Sequence, residues 1–156
     1  MESHHPPSHE HVDMEMVKME VNLDDISGEW LGYVMDLLFE NGANDVFYTP
    51  IFMKKNRPGT LLQLLCSTAK IEKMKEILFT ETTTLGIRYY PLTVHRLERI
   101  FEQVETQWGN VTVKKGIYAG QVVQWAPEYE ECKQIAISHG IPLKKVYDEI
   151  RKSTYT

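Results

Sequence analysis

Between residues 15 and 88 the hydrophobic pattern follows the order β-α-β-β-α-β, and this order constrains the fold more than any other feature of the sequence. The first strand has hydrophobic residues at every second position: Val17, Met19, Val21 and Leu23. The first helix has them at helical spacing: Leu31, Val34 and Leu38. Ser27 is expected to cap the start of this helix, and Asn41-Gly42 to end it.

The second half of the succession contains a hairpin and a second helix. The remaining elements are predicted over these ranges: strands Asp45–Met53 and Leu61–Cys66, a helix Lys70–Thr82 and a fourth strand from Gly86. Pro50 lacks the N–H that a central strand donates, so an edge position or a bulge is expected for the second strand. Arg57-Pro58-Gly59-Thr60 has the proline and glycine spacing of a type II turn, which would connect the two strands.

The order β-α-β-β-α-β is that of the ferredoxin-like fold. We therefore predict an α+β protein with a ferredoxin-like core over residues 15–104, followed by additional β-strands and two C-terminal helices. The additional strands are expected near residues 92–103, 110–114 and 118–125. Residues 105–156 would form a β-hairpin and a C-terminal helical extension packed on or beside the core.

Residues 1–14 differ in composition from the rest and are predicted to form a disordered leader or linker. They contain two prolines, almost nothing apolar, and four of the six histidines of the chain: His4, His5, His9 and His11. Several imidazoles on a flexible segment can gather on one nickel or zinc ion, so these histidines are candidate ligands for either metal. A linker that binds metal only incidentally is the alternative.

The apolar runs and the cysteines indicate a cytoplasmic protein without a membrane partner. No apolar run approaches the roughly eighteen residues that span a bilayer. The sequence also shows no charged start followed by an apolar block, the pattern of a secretion signal. Cys66 and Cys132 lie far apart, so neither a disulfide framework nor a cysteine zinc site is expected.

The net charge of −5 argues against a nucleic-acid partner, but the charges are distributed unevenly. Residues 1–53 contain one basic residue against eleven acidic ones, whereas residues 54–115 contain eleven basic residues against six acidic ones. A basic middle in an acidic chain favours a local anionic ligand. Solvated surface lysines are the alternative.

The predicted topology brings three polar clusters to one edge of the sheet. Right-handed crossovers place the ends of the first two strands, the hairpin turn and the start of the fourth strand at the same edge. The clusters at this edge are Asn22-Leu23-Asp24-Asp25, Lys54-Lys55-Asn56-Arg57, and Glu81-Thr82-Thr83-Thr84 with Arg88. The first helix also begins there and offers free N–H groups to an anion. Carboxylates, cations and hydroxyls from distant stretches are therefore expected to converge.

These residue types suit a metal–phosphate site. Asn22 and Asp24 are two apart on a strand, would face the same side, and could hold Mg²⁺ or Mn²⁺ through oxygen. Four basic side chains could neutralise phosphates: Lys54, Lys55, Arg57 and Arg88. Each cluster also has a structural alternative, since the carboxylates could cap the first helix, the lysines could protect a sheet edge, and the threonines could end a helix.

Several stretches of the sequence carry a family resemblance. The most specific is the run MKKNRPGT, from Met53 to Thr60. The others are Asn22–Asp25, Asn41–Phe47, Glu81–Arg88, Arg96–Arg99, Val113-Lys114 and Pro127–Cys132. Together they resemble the nickel-insertion proteins of nickel-pincer cofactor synthesis, and the resemblance covers nearly everything from residue 17 to residue 150.

The resemblance implies a CTP-dependent cyclometallase that inserts nickel, its substrate metal, into a pyridinium bis-thiocarboxylate mononucleotide to form the cofactor of lactate racemase. It implies that this chain is a C-terminal nucleotide-binding domain, which a histidine-rich segment joins to an N-terminal domain, and that it assembles into trimers or hexamers. Together with the expected convergence, it gives a phosphate-binding set: Lys54, Lys55, Arg57, Thr83, Thr84 and Arg88. The Mn²⁺ or Mg²⁺ that accompanies the nucleotide would be held by Asn22, Asp24 and Asp25.

Two other classes of function fit parts of the same pattern. A regulatory module could sense a nucleotide or a metal through the same residues without turnover. An RNA-binding domain could share the split fold, but such domains stack bases on aromatic residues of the central strands. The third predicted strand, LLQLLC, contains no aromatic residue.

Overall fold

The structure, a computed structural model, describes residues 9–154. Its strands are β1 (His11–Leu23), β2 (Asp45–Phe52), β3 (Pro58–Ser67), β4 (Arg88–Arg96), β5 (Glu98–Thr106), β6 (Gly109–Tyr118) and β7 (Gln121–Pro127). Its helices are α1 (Gly28–Glu40), α2 (Ile71–Glu81), α3 (Tyr129–His139) and α4 (Leu143–Thr154), with short 3-10 helices at Lys54–Asn56 and Thr68–Lys70. None of the helices within residues 9–154 has the length and apolar character needed to cross a bilayer.

The chain divides into two compact units. Val12–Val94 form the first unit, which contains a four-stranded sheet in the order β2-β3-β1-β4. The chain from His95 onward, together with residues 9–11, forms the second unit, which contains a three-stranded sheet in the order β5-β6-β7. In the first unit β3 pairs antiparallel with both β1 and β2. This order is that of two interleaved β-α-β halves, so the predicted α+β class and its ferredoxin-like core are confirmed.

One face of the four-stranded sheet is buried beneath α1 and α2. Buried side chains of β1 lie directly opposite those of β3, with Val21 opposite Leu62 and Met19 opposite Leu64. The helices add their own stripes, Leu31, Val34 and Leu38 from α1 and Met74, Ile77 and Leu78 from α2. Each large side chain that is fully buried contributes roughly 1.5–3 kcal/mol. Burial of this cluster therefore stabilises the four-stranded sheet.

The predictions for α1 and β2 are confirmed in detail. The Ser27 hydroxyl caps α1 by accepting a hydrogen bond from the Trp30 N–H at 3.2 Å. Asn41 follows the last turn, where its side-chain amide donates to the carbonyl oxygen of Leu37 at 2.8 Å. Pro50 lies in β2, an edge strand of the sheet, as expected for a strand that lacks one donor.

The predicted type II turn at Arg57–Thr60 is wrong. β3 already begins at Pro58, and the chain reverses earlier, over the 3-10 helix Lys54–Asn56. A Cβ on Gly59 would lie only 2.8 Å from the carbonyl oxygen of Leu23. Glycine is required there because β3 closely approaches the end of β1. A glycine that allows close packing cannot be distinguished from a turn glycine by its sequence neighbours alone.

Two predicted boundaries differ from the structure. β1 begins at His11, so residues 11–14 are strand rather than leader, and residues 1–8 of the predicted leader lie outside the described residues. The compact units divide after Val94 rather than after residue 104. The single strand expected near residues 92–103 is two strands, β4 and β5, separated at Leu97. Apolar residues continue through this region, so the pattern does not reveal where the chain leaves the first sheet.

The second unit packs its three-stranded sheet against its two helices. The residues that form its buried core are Val104, Val111, Val113, Cys132, Val146 and Ile150. Ala119 and Gly120 connect β6 to β7 with positive φ values of 48° and 77°, as in a two-residue type I′ turn. β6 and β7 form the hairpin expected within residues 105–156, β5 adds a third strand beside β6, and the two C-terminal helices are confirmed.

Candidate functional site

The backbone register brings the predicted polar clusters to one edge of the four-stranded sheet. Leu23, the last residue of β1, pairs with Thr60, and Phe52, the last residue of β2, pairs with Pro58. Side-chain hydrogen bonds then join the start of β4 and the preceding loop to the same edge. The clusters that meet there are Asn22–Asp25, Lys54–Arg57, and Thr82–Thr84 with Arg88.

An ion pair connects the loop after β1 to the turn between β2 and β3. Arg57 Nε lies 3.0 Å from Asp24 Oδ2. The Arg57 side chain is 54% exposed, and a guanidinium carries five N–H donors, so the pair orients Arg57 and leaves donors for a ligand. Asp24 therefore orients the Arg57 guanidinium, whereas the cap of α1 is provided by Ser27.

Arg88, the first residue of β4, is held in a similar way. Its Nη2 donates to Asn22 Oδ1 at 2.8 Å, and its Nε donates to Glu20 Oε2 at 3.4 Å. The Arg88 side chain is also 54% exposed. Oxygens of β1 and of the loop after it thus fix both arginines while part of each guanidinium faces solvent.

Glu20 belongs to this candidate site, although it was not among the residues predicted for it. Its carboxylate accepts from Arg88 and from the Tyr90 hydroxyl at 3.2 Å, and it pairs with Lys18 at 3.2 Å. Partial burial acts to raise the pKa of Glu20, but the hydrogen bonds from Lys18, Tyr90 and Arg88 outweigh it and hold that pKa below its ordinary value. The sequence contains one sign of its role: Lys18, Glu20 and Asn22 alternate with buried residues along the central strand β1. These polar side chains therefore share the face of the sheet opposite the buried one.

The three successive threonines have different partners. The Thr83 hydroxyl donates to Asp25 Oδ1, which joins the end of α2 to the loop after β1. The Thr84 hydroxyl donates to the carbonyl oxygen of Gly86 at 2.8 Å and so closes a local turn. Thr82 is buried, and its hydroxyl donates at 2.5 Å to a carbonyl in the last turn of α2. Of these three hydroxyls, that of Thr83 is the one that contacts another cluster.

Lys54 and Lys55 lie exposed on the turn between β2 and β3. Neither forms an ion pair within the described part of the chain. Lys55 and the following Asn56 adopt positive φ values of 62° and 57°. For a lysine this left-handed conformation costs about 1–2 kcal/mol, and such strain concentrates at functional sites. The turn therefore presents two unneutralised positive charges beside Arg57.

The oxygens predicted to bind a metal have other partners in the structure. β1 ends at Leu23, so the alternation that predicted Asn22 and Asp24 on one face does not extend to Asp24. Asn22 contacts Arg88, whereas Asp24 contacts Arg57. Within residues 9–154 no group of three or more His, Cys, Asp or Glu side chains could hold a metal. The two neighbouring carboxylates match the number that binds Mg²⁺ when substrate phosphates complete its coordination.

Two of the four histidines predicted as nickel ligands are described by the structure. His4 and His5 lie outside the described residues. His11 Nδ1 lies 2.7 Å from the carbonyl oxygen of His9, a contact that requires a proton on Nδ1 and leaves the lone pair on Nε2. A neutral imidazole in this state is able to bind a metal, so the ligand role of His9 and His11 stays a prediction.

Comparison with known proteins relates the chain to nickel insertion. A family model described as "nickel insertion protein" matches residues 5–147. The pyridinium-3,5-bisthiocarboxylic acid mononucleotide nickel insertion protein of Acetivibrio thermocellus is 49% identical over 144 residues, which are 92% of this chain and 35% of that protein. The protein of the same name from Geobacillus kaustophilus is 50% identical over 131 residues, 84% of this chain and 32% of that protein. The chain thus spans about a third of the length of these relatives.

Two solved structures resemble the chain along most of its length. The C-terminal domain of a cyclometallase involved in the synthesis of the NPN cofactor of lactate racemase, in its apo form, matches with a TM-score of 0.86 and 37% identity, covering 94% of this chain and 99% of that chain. A protein from Methanopyrus kandleri matches with a TM-score of 0.68 and 26% identity, covering 92% and 90% respectively. The α+β fold of this chain is therefore shared with a cyclometallase domain.

Proposed function

Because the chain belongs to the nickel insertion protein family, we propose that it is the nucleotide-binding part of a CTP-dependent nickel cyclometallase. The acceptor is the compound that gives the relatives their name, pyridinium-3,5-bisthiocarboxylic acid mononucleotide. Nickel is a substrate of the reaction, and the product is the nickel-pincer cofactor of lactate racemase.

The observation that carries the CTP assignment is the pair of oriented arginines at one sheet edge. Arg57 and Arg88 are each held from one side by oxygens of β1 or the following loop, and each side chain is 54% exposed. Arginines oriented in this way can each grip two phosphate oxygens. Lys54 and Lys55 add two charges on the adjacent turn, and the Thr83 and Thr84 hydroxyls add polar contacts. A triphosphate is the ligand that such a density of cations suits.

A divalent cation, Mn²⁺ or Mg²⁺, fits the donor set at this edge. Asp24 and Asp25 supply carboxylate oxygens and Asn22 an amide oxygen, which are the hard ligands that such cations prefer. These residues would hold the cation together with oxygens of the triphosphate. When bound, the cation supplies further neutralisation of phosphate charge.

The chemical role of this edge is to stabilise negative charge on phosphates. Cleavage of CTP, or transfer of its nucleotide, moves negative charge onto the departing phosphate oxygens. Arg57, Arg88 and the two turn lysines would meet that charge with donors already in place, which lowers the barrier. Nucleotide transfer would in turn activate a thiocarboxylate of the acceptor for metallation.

The complete reaction is proposed to involve more than this chain, which spans about a third of its relatives. We expect the N-terminal domain of the family as a partner, a homo-oligomer such as a trimer or hexamer, and a cytoplasmic location. The histidines at the start of the chain, His4, His5, His9 and His11, would hold nickel before insertion.

Calorimetric titration with CTP in the presence and absence of Mn²⁺ tests the proposal. We expect saturable CTP binding that is tighter with Mn²⁺, and no comparable binding of cytidine, which lacks the phosphates. Incubation with CTP, Mn²⁺, nickel and the nickel-free mononucleotide then separates an enzyme, which consumes CTP, from a sensor, which binds it intact. A folded chain that does not bind CTP would contradict the proposal.

A further inference from the structure

The second unit has a basic cavity on its three-stranded sheet. Val111 and Val113 of β6 are buried in the core of this unit, so the intervening positions of the strand alternate to the opposite face. Lys114 and Gly116 occupy that opposite face. The cavity there has a volume of about 310 Å³, and the residues that line it include Arg96, Leu97, Arg99, Lys114, Gly116 and Gln124.

Gly116 forms the floor of this cavity. It pairs with Arg99 of β5 on one side and with Gln124 of β7 on the other, so the three residues lie in one row across the sheet. A Cβ on Gly116 would lie 3.2 Å from Leu97 Cδ1 and 3.3 Å from Gln124 Cβ, so the hollow depends on glycine. The register between β6 and β7 shifts immediately after Gly116. Such β-bulges redirect side chains and are frequent beside ligand sites.

Cations outnumber anions among the residues that line the cavity. Three of its lining residues are the cations Arg96, Arg99 and Lys114, and none of the lining residues described is a carboxylate. The next residue, Lys115, alternates to the other face of the sheet, where it forms an ion pair with Glu102. Of these two successive lysines, one is neutralised and the other adds its charge to the cavity. An anion bound there would therefore meet several donors at once.

We propose that this cavity binds the acceptor of the reaction, a pyridinium mononucleotide, through its phosphate and its ring thiocarboxylate groups. This identity of the ligand depends on the proposed function. The volume lies at the lower end of the roughly 300–1,000 Å³ typical of small-molecule sites, which suits a mononucleotide. Trp125 is the aromatic residue among those that line the cavity, and it could contact the pyridinium ring.

Nicotinate mononucleotide is a suitable probe, since it combines a pyridinium ring, a carboxylate and a phosphate. In calorimetric titrations we expect one site per chain, and a loss of about tenfold in affinity for Lys114→Ala, because one charged phosphate contact is removed. Gly116→Ala should weaken binding as well, since it fills the floor. Lys133→Ala is the matched control, because it removes one positive charge from α3 beside Glu130.

CTP titrations of the same variants distinguish this assignment from the proposed CTP site. We expect Lys114→Ala to bind CTP normally and Lys55→Ala to bind nicotinate mononucleotide normally. If the unmodified chain binds the mononucleotide but not CTP, the CTP proposal is wrong and the cavity assignment stands. The cavity assignment is overturned if the folded chain does not bind the mononucleotide, if Lys133→Ala weakens binding equally, or if Lys114→Ala weakens CTP instead.

Discussion

Arg57 and Asp24 form an ion pair, with Nε 3.0 Å from Oδ2, which ties the turn before β3 to the loop after β1. The pair holds the guanidinium in place before any phosphate arrives, so less side-chain freedom has to be lost on binding. In the proposed complex, the Asp24 carboxylate could be shared between Arg57 and a divalent cation bound with the phosphates. The same contact therefore serves both halves of the candidate site.

Removing single charges from the turn should weaken nucleotide binding without affecting the fold. Arg57→Ala and Lys55→Ala are each expected to reduce affinity for CTP by about tenfold, since each removes a charge-assisted hydrogen bond. Both side chains are exposed, so melting temperatures should change little. Lys73→Ala, which removes an exposed charge paired with Glu76 on α2, is the control and should alter neither quantity. A large drop in melting temperature with normal affinity would identify the two residues as structural.

Replacing Lys55 by glycine should separate stability from binding. Its φ of 62° strains a residue with a Cβ, and glycine relieves that strain. We expect the free energy of unfolding of Lys55→Gly to exceed that of Lys55→Ala by about 1 kcal/mol. Lys55→Gly should therefore unfold at a higher urea concentration. The two variants should lose the same CTP affinity, because both lack the charge. Equal stability of the two would show that the left-handed conformation at this position is not strained.

The Glu20 network should make stability depend on pH on the acidic side. The folded-state pKa of Glu20 is lowered from an ordinary value of 4.5, so its stabilisation is present above that value and is lost as pH falls through the lowered pKa. Glu20→Gln should therefore be less stable than the unmodified chain at pH 7, by about 1 kcal/mol, and this difference should shrink as the pH falls below 4.5. Urea unfolding across this pH range measures the difference.

Glu72→Gln is the matched control for that series, since Glu72 pairs with Lys75 on the exposed surface of α2. Its effect should stay within a few tenths of a kcal/mol at every pH. If Glu20→Gln lost stability equally at pH 3 and pH 7, the hydrogen bonds to the ionised carboxylate would not be the cause.

Replacing each of two glycines of the first unit by alanine should change the free energy of unfolding in opposite directions. A Cβ on Gly59 would lie 2.8 Å from the backbone oxygen of Leu23, so Gly59→Ala should destabilise by about 1–3 kcal/mol and displace the loop that carries Asp24. Gly32 lies within α1 with nothing within 4 Å of its added Cβ, so Gly32→Ala should stabilise by about 0.5–1 kcal/mol. Denaturant unfolding of both variants tests the contrast. CTP affinity should fall only for Gly59→Ala.

The two thiols should be unreactive in the folded protein. Cys66 and Cys132 are fully buried, and burial raises the pKa of both, with nearby Glu131 adding to the effect on Cys132. A disulfide reagent added at pH 8 should therefore react only after guanidinium is added, when two thiols become available. Rapid reaction of one thiol in buffer would show that its unit opens locally.

The side-chain pattern predicted the first unit well because burial decides its structure. Val21 and Met19 of β1 pack against β3, and the stripe of Leu31, Val34 and Leu38 fixes α1, so the periods of the sequence correspond directly to contacts. The convergence of the polar clusters followed from the same topology. What the pattern could not give was the partner of each polar group, since Asp24 contacts Arg57 and Asn22 contacts Arg88 across long intervals of sequence.

Features that depend on backbone contacts were predicted poorly. Gly59 was assigned to a turn, although it permits a close approach between strands, and nothing local in the sequence distinguishes the two. The start of β1 at His11 was missed because its first residues are largely exposed and show no buried face. Glu20 was missed because a single carboxylate on an open face reveals its role only when β4 brings Arg88 and Tyr90 beside it.

The length of β1 separates two proposed metal sites. At a rise of about 3.3 Å per residue, its 13 residues separate His11 from the carboxylates beyond Leu23 by roughly 40 Å. A nickel ion bound by His11 and a divalent cation bound beyond Leu23 would therefore occupy separate sites that no rotation of side chains could bring together.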